Sequence, residues 1–148
     1  MQNVPIKRLR EKAIFPAYAT AGSAGADLYA CLDEPVEIGP HQTVMIPLGY
    51  ALALPEGWVG LVFARSGLAY KQDLAPANKV GVIDCDYRGE WMVPLHNHGS
   101  TPRIVTHGER IAQMIVVPYL TLQFTETTTW TRQPGAWEGS ARRGRTER

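Results

Sequence analysis

Short apolar segments separated by turns make up most of this chain. Apolar residues alternate with other residues on both sides of a Pro-Glu-Gly turn: Val44, Ile46 and Leu48 precede it, and Val59, Leu61 and Phe63 follow it. Side chains two residues apart lie on the same face of a β-strand, so this alternation is typical of strands with one buried face. The pattern predicts a β-hairpin over residues 41–67.

Two further segments have the character of β-strands, "GEWMVPLHN" over residues 89–97 and "RIAQMIVVPYL" over residues 110–120. Only "RSGLAYKQDLA", over residues 65–75, has room for a helical turn or two. Fourteen Gly and eleven Pro divide the rest into short pieces. Many short strands in one chain predict an all-β sandwich, jelly roll or barrel. We expect one domain over residues 1–127 and a mobile tail over residues 128–148.

The charge distribution sets the tail apart from the domain. The chain has 15 Lys and Arg against 14 Asp and Glu, a net charge of +1. Residues 141–148 hold four Arg and one Glu, which leaves 11 basic and 13 acidic residues in the remainder. A mildly acidic domain argues against nucleic acid and against a membrane surface as partners.

The cysteines and the N-terminus add expectations about cellular location. Cys31 and Cys85 are the only cysteines and fit neither a CxxC motif nor a zinc-site spacing. Two reduced thiols are therefore expected, with no disulfide framework. No apolar run has the length of a signal peptide or a membrane span. The sequence predicts a soluble, cytoplasmic protein.

Four polar clusters interrupt the β pattern: "AGSAGADLYA" (21–30), "ARSGLA" (64–69), "GVIDCDYRGE" (81–90) and "GERIAQMI" (108–115). Each alone could be an ordinary turn or loop. Together, in this order and at these spacings, the four clusters are highly specific for one protein family. From roughly Ile6 to Val117 the chain resembles the homotrimeric dUTPase family, the deoxyuridine triphosphate nucleotidohydrolases, and it matches four of that family's five motifs.

The resemblance implies a fold, an assembly and a reaction. The subunit would be a distorted jelly roll or β-barrel, and the protein a homotrimer with active sites at the subunit interfaces. Its substrate would be dUTP, cleaved by attack of water on the α-phosphorus to give dUMP and pyrophosphate. Such an enzyme lowers dUTP and supplies dUMP for dTMP synthesis.

The first two matched motifs concern the triphosphate. In the family the Asp of motif one holds waters around Mg²⁺, so the resemblance makes Asp27 an indirect ligand of Mg²⁺, an ion that keeps its waters and is held largely by substrate phosphates. Motif two supplies Arg65, Ser66 and Gly67: a guanidinium, a hydroxyl donor and a backbone that a phosphate can approach closely. Ala26 and Ala64 depart from the commonest family residues, Tyr and Pro.

The third motif, over residues 78–92, resembles the family's deoxyuridine-binding hairpin. Asn78 would complete the pairing with the uracil edge, while Val82, Ile83 and Met92 line the base pocket. Tyr87 would lie under the sugar and leave no room for a ribose 2′-hydroxyl, so discrimination would be steric as well as hydrogen-bonded.

Asp84 is the candidate general base, because hydrolysis needs a carboxylate that orients and deprotonates a water. Asp86 is its rival, or else a turn residue; the resemblance matches the Asp after Ile to the catalytic role. In the fourth motif the Gln113 amide would help to hold phosphate and water. Arg110 is either a phosphate contact or an ion-pair partner for Glu or Asp.

His96 and His98 could be read as metal ligands on one strand face, but a third ligand is missing from their neighbourhood in the sequence. An ordinary structural role is the expected one.

The tail stands where the family has a mobile lid close to "RGxGGFGSTG", whose Phe stacks on uracil. Trp137 could be the stacking ring, with Arg132, Gly135, Gly139 and Ser140 as remnants. Alternatively, Trp137 to Gly144 can be encoded as TGG GAG GGT TCG GCT CGA CGG GGN, which spells "GGFGSTG" when read from the third nucleotide. We infer a frameshift near residues 131–133, and expect the fold and the trimer to persist with reduced turnover.

Two other functions fit parts of the pattern. One is the deoxycytidine triphosphate deaminase branch of the same superfamily, against which "GVIDCDYRGE" argues. The other is a binding-only jelly roll that senses a nucleotide without turning it over.

Overall fold

The computed structural model describes residues 3–129, and these form a predominantly β structure with one short helix. In chain order its strands are β1 (Ile6–Arg8), β2 (Ala17–Tyr18), β3 (Ala26–Tyr29), β4 (Val36–Ile38), β5 (Thr43–Pro47), β6 (Tyr50–Leu52), β7 (Trp58–Phe63), β8 (Leu74–Pro76), β9 (Val80–Ile83), β10 (Met92–Asn97), β11 (Arg103–Val105) and β12 (Arg110–Pro118). The helix α1 (Ser66–Gln72) lies between β7 and β8. The prediction of an all-β fold of jelly-roll type is confirmed.

The strands form small sheets that join segments far apart in the chain. The largest has five strands in the order β2-β3-β12-β7-β9, and a second has three in the order β5-β10-β8. Two further pairs are β1 with β6 and β4 with β11. Every pairing is antiparallel. The predicted site residues lie both within these strands, as Asp27 in β3 and Gln113 in β12 do, and in the loops between them.

The predicted hairpin over residues 41–67 is wrong, although its strands exist. β5 pairs with β10, while β7 pairs with β12 and β9 in another sheet. Gly49, with a φ of +80°, turns the chain after β5, and β6 then pairs with the N-terminal β1. Within β7 the buried residues are Gly60 and Val62, rather than the alternating set on the other face. Val59, Leu61 and Phe63 on the other face are themselves half-buried, so alternation alone did not identify the core face.

The core lies between the sheets and contains residues from nearly every strand. Its largest fully buried side chains include Trp91, Tyr50, Leu28, Ile38 and Ile46. Burial of such side chains stabilises the fold by about 1.5–3 kcal/mol each. The buried position of Tyr50 also raises the pKa of its phenol, because the charged form would lose its hydration.

Two other features concern expectations from the sequence. The predicted helical turns are confirmed as α1, which spans seven residues. No helix in residues 3–129 combines the length and hydropathy that crossing a bilayer requires.

Candidate functional site

A cavity of about 320 Å³ lies beside β9 and the loop that leads from it to β10. It gathers all the residues that the third motif assigned to nucleoside binding and catalysis: Asn78, Val82, Ile83, Asp84, Tyr87 and Met92. Met45, Glu90 and Trp91 also contribute to its lining. Its volume suits a small ligand, and its walls combine apolar side chains with a few polar groups. The hairpin predicted over residues 78–92 is wrong, because β9 pairs with β7 whereas β10 pairs with β5 and β8. We name the space the hairpin cavity after that segment of the sequence.

The loop between β9 and β10 is held by hydrogen bonds among its own residues. The Tyr87 N–H donates to the Asp84 carbonyl at 3.2 Å, and the Arg88 guanidinium donates to the carbonyls of Cys85 and Tyr87 at 2.6 and 3.0 Å. The Tyr87 hydroxyl donates to the carbonyl of Glu90 at 3.1 Å. These bonds curl the loop so that the Tyr87 ring faces the cavity.

The two aspartates of the loop, Asp84 and Asp86, have different surroundings. Asp84 lines the hairpin cavity together with Asn78 and Tyr87. Asp86 lies in the turn and lines a different depression, with Cys85, Arg88 and Tyr119. Asp84 also borders that depression. Of these two aspartates, Asp84 is therefore the one that can reach a ligand in the hairpin cavity.

A second cavity forms where β3, β12 and β7 lie side by side. Gln113 on β12 is opposite Asp27 on β3 and Phe63 on β7, and the chain then continues from Phe63 into the second motif. The lining includes the predicted residues Asp27, Arg65, Ser66, Gly67, Arg110 and Gln113. A register shift between residues 110 and 112 bulges β12 at Arg110. We call this the arginine cavity.

Asp27 lies between two arginines. Its side chain is largely buried, and Arg65 Nε donates to Oδ1 at 2.8 Å while Arg110 Nη1 donates to Oδ2 at 3.3 Å. A buried carboxylate is costly unless its charge is paired, and two guanidinium groups supply the pairing. Of the two roles open for Arg110, the structure shows the ion pair. The cluster carries a net charge of +1, which suits an anionic ligand.

The amide of Gln113 is fixed in orientation. Its Nε2 donates to the carbonyl of Ala64 at 2.9 Å, which turns Oε1 toward Gly25. A Cβ on Gly25 would lie 2.7 Å from that oxygen, so a larger residue there would displace the Gln113 amide. Gly25 and the Ala64 carbonyl thus position the amide in the arginine cavity.

The acidic and basic groups of the arginine cavity limit how a metal could bind. One carboxylate between two guanidinium groups fits an ion that is held through water and by substrate phosphates, as Mg²⁺ often is. It does not fit a cage of protein ligands, and residues 3–129 contain no cluster of three or more His, Cys, Asp or Glu placed to hold a metal. The rings of His96 and His98 stack edge to face with centroids 4.5 Å apart.

The two cavities have no lining residue in common. Val62 faces the hairpin cavity and its neighbour Phe63 faces the arginine cavity, because successive side chains of a strand point to opposite sides. The structure thus brings the predicted residues together in two sets, not one. Arg132, Gly135, Trp137, Gly139 and Ser140 lie outside the described residues.

Two participants were missed by the sequence reasoning. Glu90 lines the hairpin cavity, and its carboxylate accepts two hydrogen bonds from Arg10 at 2.7 and 3.2 Å. These residues are 80 positions apart. No local pattern marks such a pair, although Glu90 closes the third polar cluster.

The chain is similar to known proteins over most of its length. The model of the family described as dUTPase matches residues 11–141. A deoxyuridine 5′-triphosphate nucleotidohydrolase of Desulfitobacterium hafniense is 55% identical over 119 residues, which cover 76% of this chain and 79% of that protein. A protein of the same name from Acinetobacter baumannii is 46% identical over 120 residues, 80% of each chain.

Solved structures show the same fold. A variant of the Staphylococcus bacteriophage 80alpha dUTPase with dUpNHpp superposes with a TM-score of 0.85 at 24% identity, covering 95% of this chain and 96% of that one. A dUTPase variant from phage phi11 of S. aureus, described with a structural Mg(II) ion, has a TM-score of 0.80 at 22% identity, covering 88% and 100%.

Proposed function

This chain belongs to the dUTPase family, and from that premise we propose that it hydrolyses dUTP to dUMP and pyrophosphate in a site completed by two copies of the chain. The protein is a hydrolase, a dUTP diphosphatase. Its reaction lowers dUTP, which keeps uracil out of DNA, and supplies dUMP for dTMP synthesis. We place this activity in the cytoplasm.

The division of the site residues between two cavities is the observation that supports a shared site. The hairpin cavity offers apolar walls, an amide and a carboxylate, which suit a nucleoside and an attacking water. The arginine cavity offers two guanidinium groups, a hydroxyl and a glycine, which suit phosphates. A nucleoside triphosphate needs both sets, and they lie on different sides of β7. In a homotrimer, the hairpin cavity of one subunit would face the arginine cavity of its neighbour.

The hairpin cavity would select deoxyuridine. Val82, Ile83 and Met92 would surround the base, and the Asn78 amide would pair with its edge. The Tyr87 ring would lie under the sugar, where a 2′-hydroxyl would collide with it.

Asp84 would orient and deprotonate the water that attacks the α-phosphorus in line. Arg65, Ser66 and Gly67 would hold the phosphates, and the Gln113 amide, fixed by Ala64, would contact phosphate and water. Arg110 would hold Asp27 and add positive charge near the leaving pyrophosphate. Mg²⁺, held through water by Asp27, would offset the negative charge that develops on the phosphates.

The tail should affect the rate of dUTP hydrolysis. We propose that residues 128–148 replace the family's glycine-rich lid, and that this version of the protein closes incompletely over the triphosphate. Nucleoside binding should survive this change better than turnover.

A matched pair of acidic variants tests the proposed reaction. Pyrophosphate release from dUTP should fall by about 10²–10⁴-fold in Asp84→Asn, because the general base is lost. Asp86→Asn should retain most activity, since Asp86 lies in the turn and does not line the hairpin cavity. Equal losses in both variants would contradict the assignment, and release of ammonia from dCTP would point to a deaminase. Light scattering of the same samples measures the trimer.

A further inference from the structure

We propose that Arg10 is a positioning residue that sets discrimination between deoxyribose and ribose, acting through Glu90 and Tyr87. Arg10 lies on the segment after β1, outside all four motifs. The inference rests on the proposed function, because it assigns the Tyr87 ring to the sugar.

The position of the Tyr87 ring depends on the backbone of the two residues before Trp91. Its hydroxyl donates to the Glu90 carbonyl at 3.1 Å. The ring end also lies against Gly89, where an added Cβ would be 2.4 Å from the hydroxyl oxygen. A shift of residues 89–90 would therefore move the ring. Because Tyr87 is 46% exposed, neighbouring core residues do little to hold it in place.

The side chain of Glu90 fixes this backbone from the other side. Its carboxylate accepts from Arg10 Nε at 2.7 Å, from Arg10 Nη2 at 3.2 Å and from the Gly49 N–H at 3.1 Å. A bidentate guanidinium–carboxylate pair defines both the distance and the relative orientation of the two groups. The hydrogen bond to Glu90 raises the pKa of the Arg10 guanidinium above its usual value.

Arg10 is anchored to the body of the domain. Its N–H donates to the Gly49 carbonyl at 3.0 Å, and its own carbonyl accepts from Ala13 at 3.0 Å. Gly49 packs so tightly that an added Cβ would lie 2.7 Å from Cys31 Sγ. A continuous set of contacts thus runs from the core through Arg10 and Glu90 to the Tyr87 hydroxyl.

The effect should fall on selectivity more than on folding. The Arg10 side chain is 43% exposed, and pairs in such positions contribute little to stability. A ring that can recede from the sugar, however, admits a 2′-hydroxyl. Lys12, on the same segment, forms an ion pair with Asp33 at 3.2 Å rather than with Glu90. It provides a matched control.

The experiment compares kcat/KM for dUTP and UTP in the full chain. In Arg10→Ala the dUTP/UTP ratio should fall about tenfold, a size typical of steric discrimination at one contact. Arg10→Lys should recover part of the ratio, and Lys12→Ala should leave it unchanged. A general structural role would instead lower both kcat/KM values together and reduce Tm, which would overturn the proposal.

A double-mutant cycle tests the route through Tyr87. Once Tyr87→Phe has removed the hydroxyl, Arg10→Ala should have little further effect on the ratio, because both changes break the same set of contacts. Additive effects would overturn the proposal. Calorimetric binding of dUMP and UMP repeats the comparison without turnover. If the ratio of the affinities for dUMP and UMP is unchanged in Arg10→Ala, this inference alone is wrong. If the wild-type chain releases no pyrophosphate from dUTP, the proposed function is wrong.

Discussion

Gly25 is a residue whose lack of a side chain matters for the arginine cavity. A Cβ there would meet the Gln113 oxygen at 2.7 Å, so Gly25→Ala should push the amide away from the Ala64 carbonyl. The displaced group ends a flexible side chain, and we expect a loss of stability below about 1 kcal/mol. Activity on dUTP should fall about tenfold, because a small misplacement of a positioning group is costly to turnover.

Gly22→Ala is the control for this substitution, measured by the same urea unfolding and pyrophosphate assays. Gly22 lies in the same loop, and an added Cβ would meet nothing within 4 Å. Equal activity of the two variants would show that the Gln113 amide does not depend on Gly25.

The stability of the protein should depend on pH through His98. Desolvation lowers the pKa of His98 first, and the nearby charges of His96 and Lys79 lower it further. The folded protein therefore binds fewer protons than the unfolded chain near the ordinary His pKa, and stability decreases as the pH falls through that value. Between pH 7.5 and pH 5, the Tm of His98→Asn should fall less than the Tm of the wild type. An identical loss in both proteins would argue against this origin.

At the scale of single residues, the sequence identified the members of the site better than their partners. Asp27 was predicted as a polar ligand because its motif is local, but its pairing with Arg65 and Arg110 joins segments that are 38 and 83 residues apart. Such contacts arise only when β3 and β12 pair, and no spacing in the chain encodes them.

Asn97 links elements rather than serving the site. It is fully buried at the end of β10, and its amide donates to the carbonyls of Ile38 on β4 and Thr101 at 2.9 and 2.8 Å. Asn97→Asp keeps the shape of the side chain but removes both hydrogen-bond donors. The free energy of unfolding, measured in urea, should therefore fall by about 2–4 kcal/mol. Ser100→Ala, an exposed change in the same turn, should stay within about 0.5 kcal/mol. A tolerated Asn97→Asp would show that these bonds contribute little.

The tail should limit turnover because it lacks the sequence of the family's lid. Replacement of residues 134–144 by "RGVGGFGSTG", which has the form of the family's lid and ends in the "GGFGSTG" that the shifted frame can spell, should raise kcat for dUTP, because a closing lid excludes water and completes the phosphate contacts. The dUMP affinity should change less. Trp137→Ala in the original chain is the control: a large loss there, with no gain from the replacement, would make Trp137 an adequate stacking ring. Nucleotide sequence that does not spell the motif in another frame removes the frameshift.

Elements were predicted more reliably than their pairing. The strands over residues 89–97 and 110–120 and the short helix after Arg65 follow from local pattern, and the structure has each of them. The partners of β5 and β7 do not, because alternation identifies a face without identifying which strand lies beside it. Gly49 directs the chain away from a hairpin there, and its role depends on contacts with Cys31 and Ala13.

For the whole molecule, a shared site predicts complementation between inactive chains. Asp84→Asn damages the hairpin cavity and Arg65→Ala the arginine cavity, so each variant alone should have little activity. Unfolded together in equal amounts and refolded, they should regain about one quarter of wild-type activity, since random assembly pairs two intact halves in that share of sites. Pyrophosphate release measures the gain. Mixing without unfolding is the control, and no gain after refolding would mean that each chain builds its site alone.

The separation of the two cavities has a further consequence for release of the products. On the proposed site, dUTP is a bivalent ligand that bridges two subunits, with its base on one and its distal phosphates on the other. Each attachment raises the local concentration of the substrate for the other, so the intact molecule gains avidity from being one piece. Hydrolysis between the α- and β-phosphates cuts the bridge. Each product then depends on a single attachment, so the bond that breaks is also the tether that had kept the substrate in place.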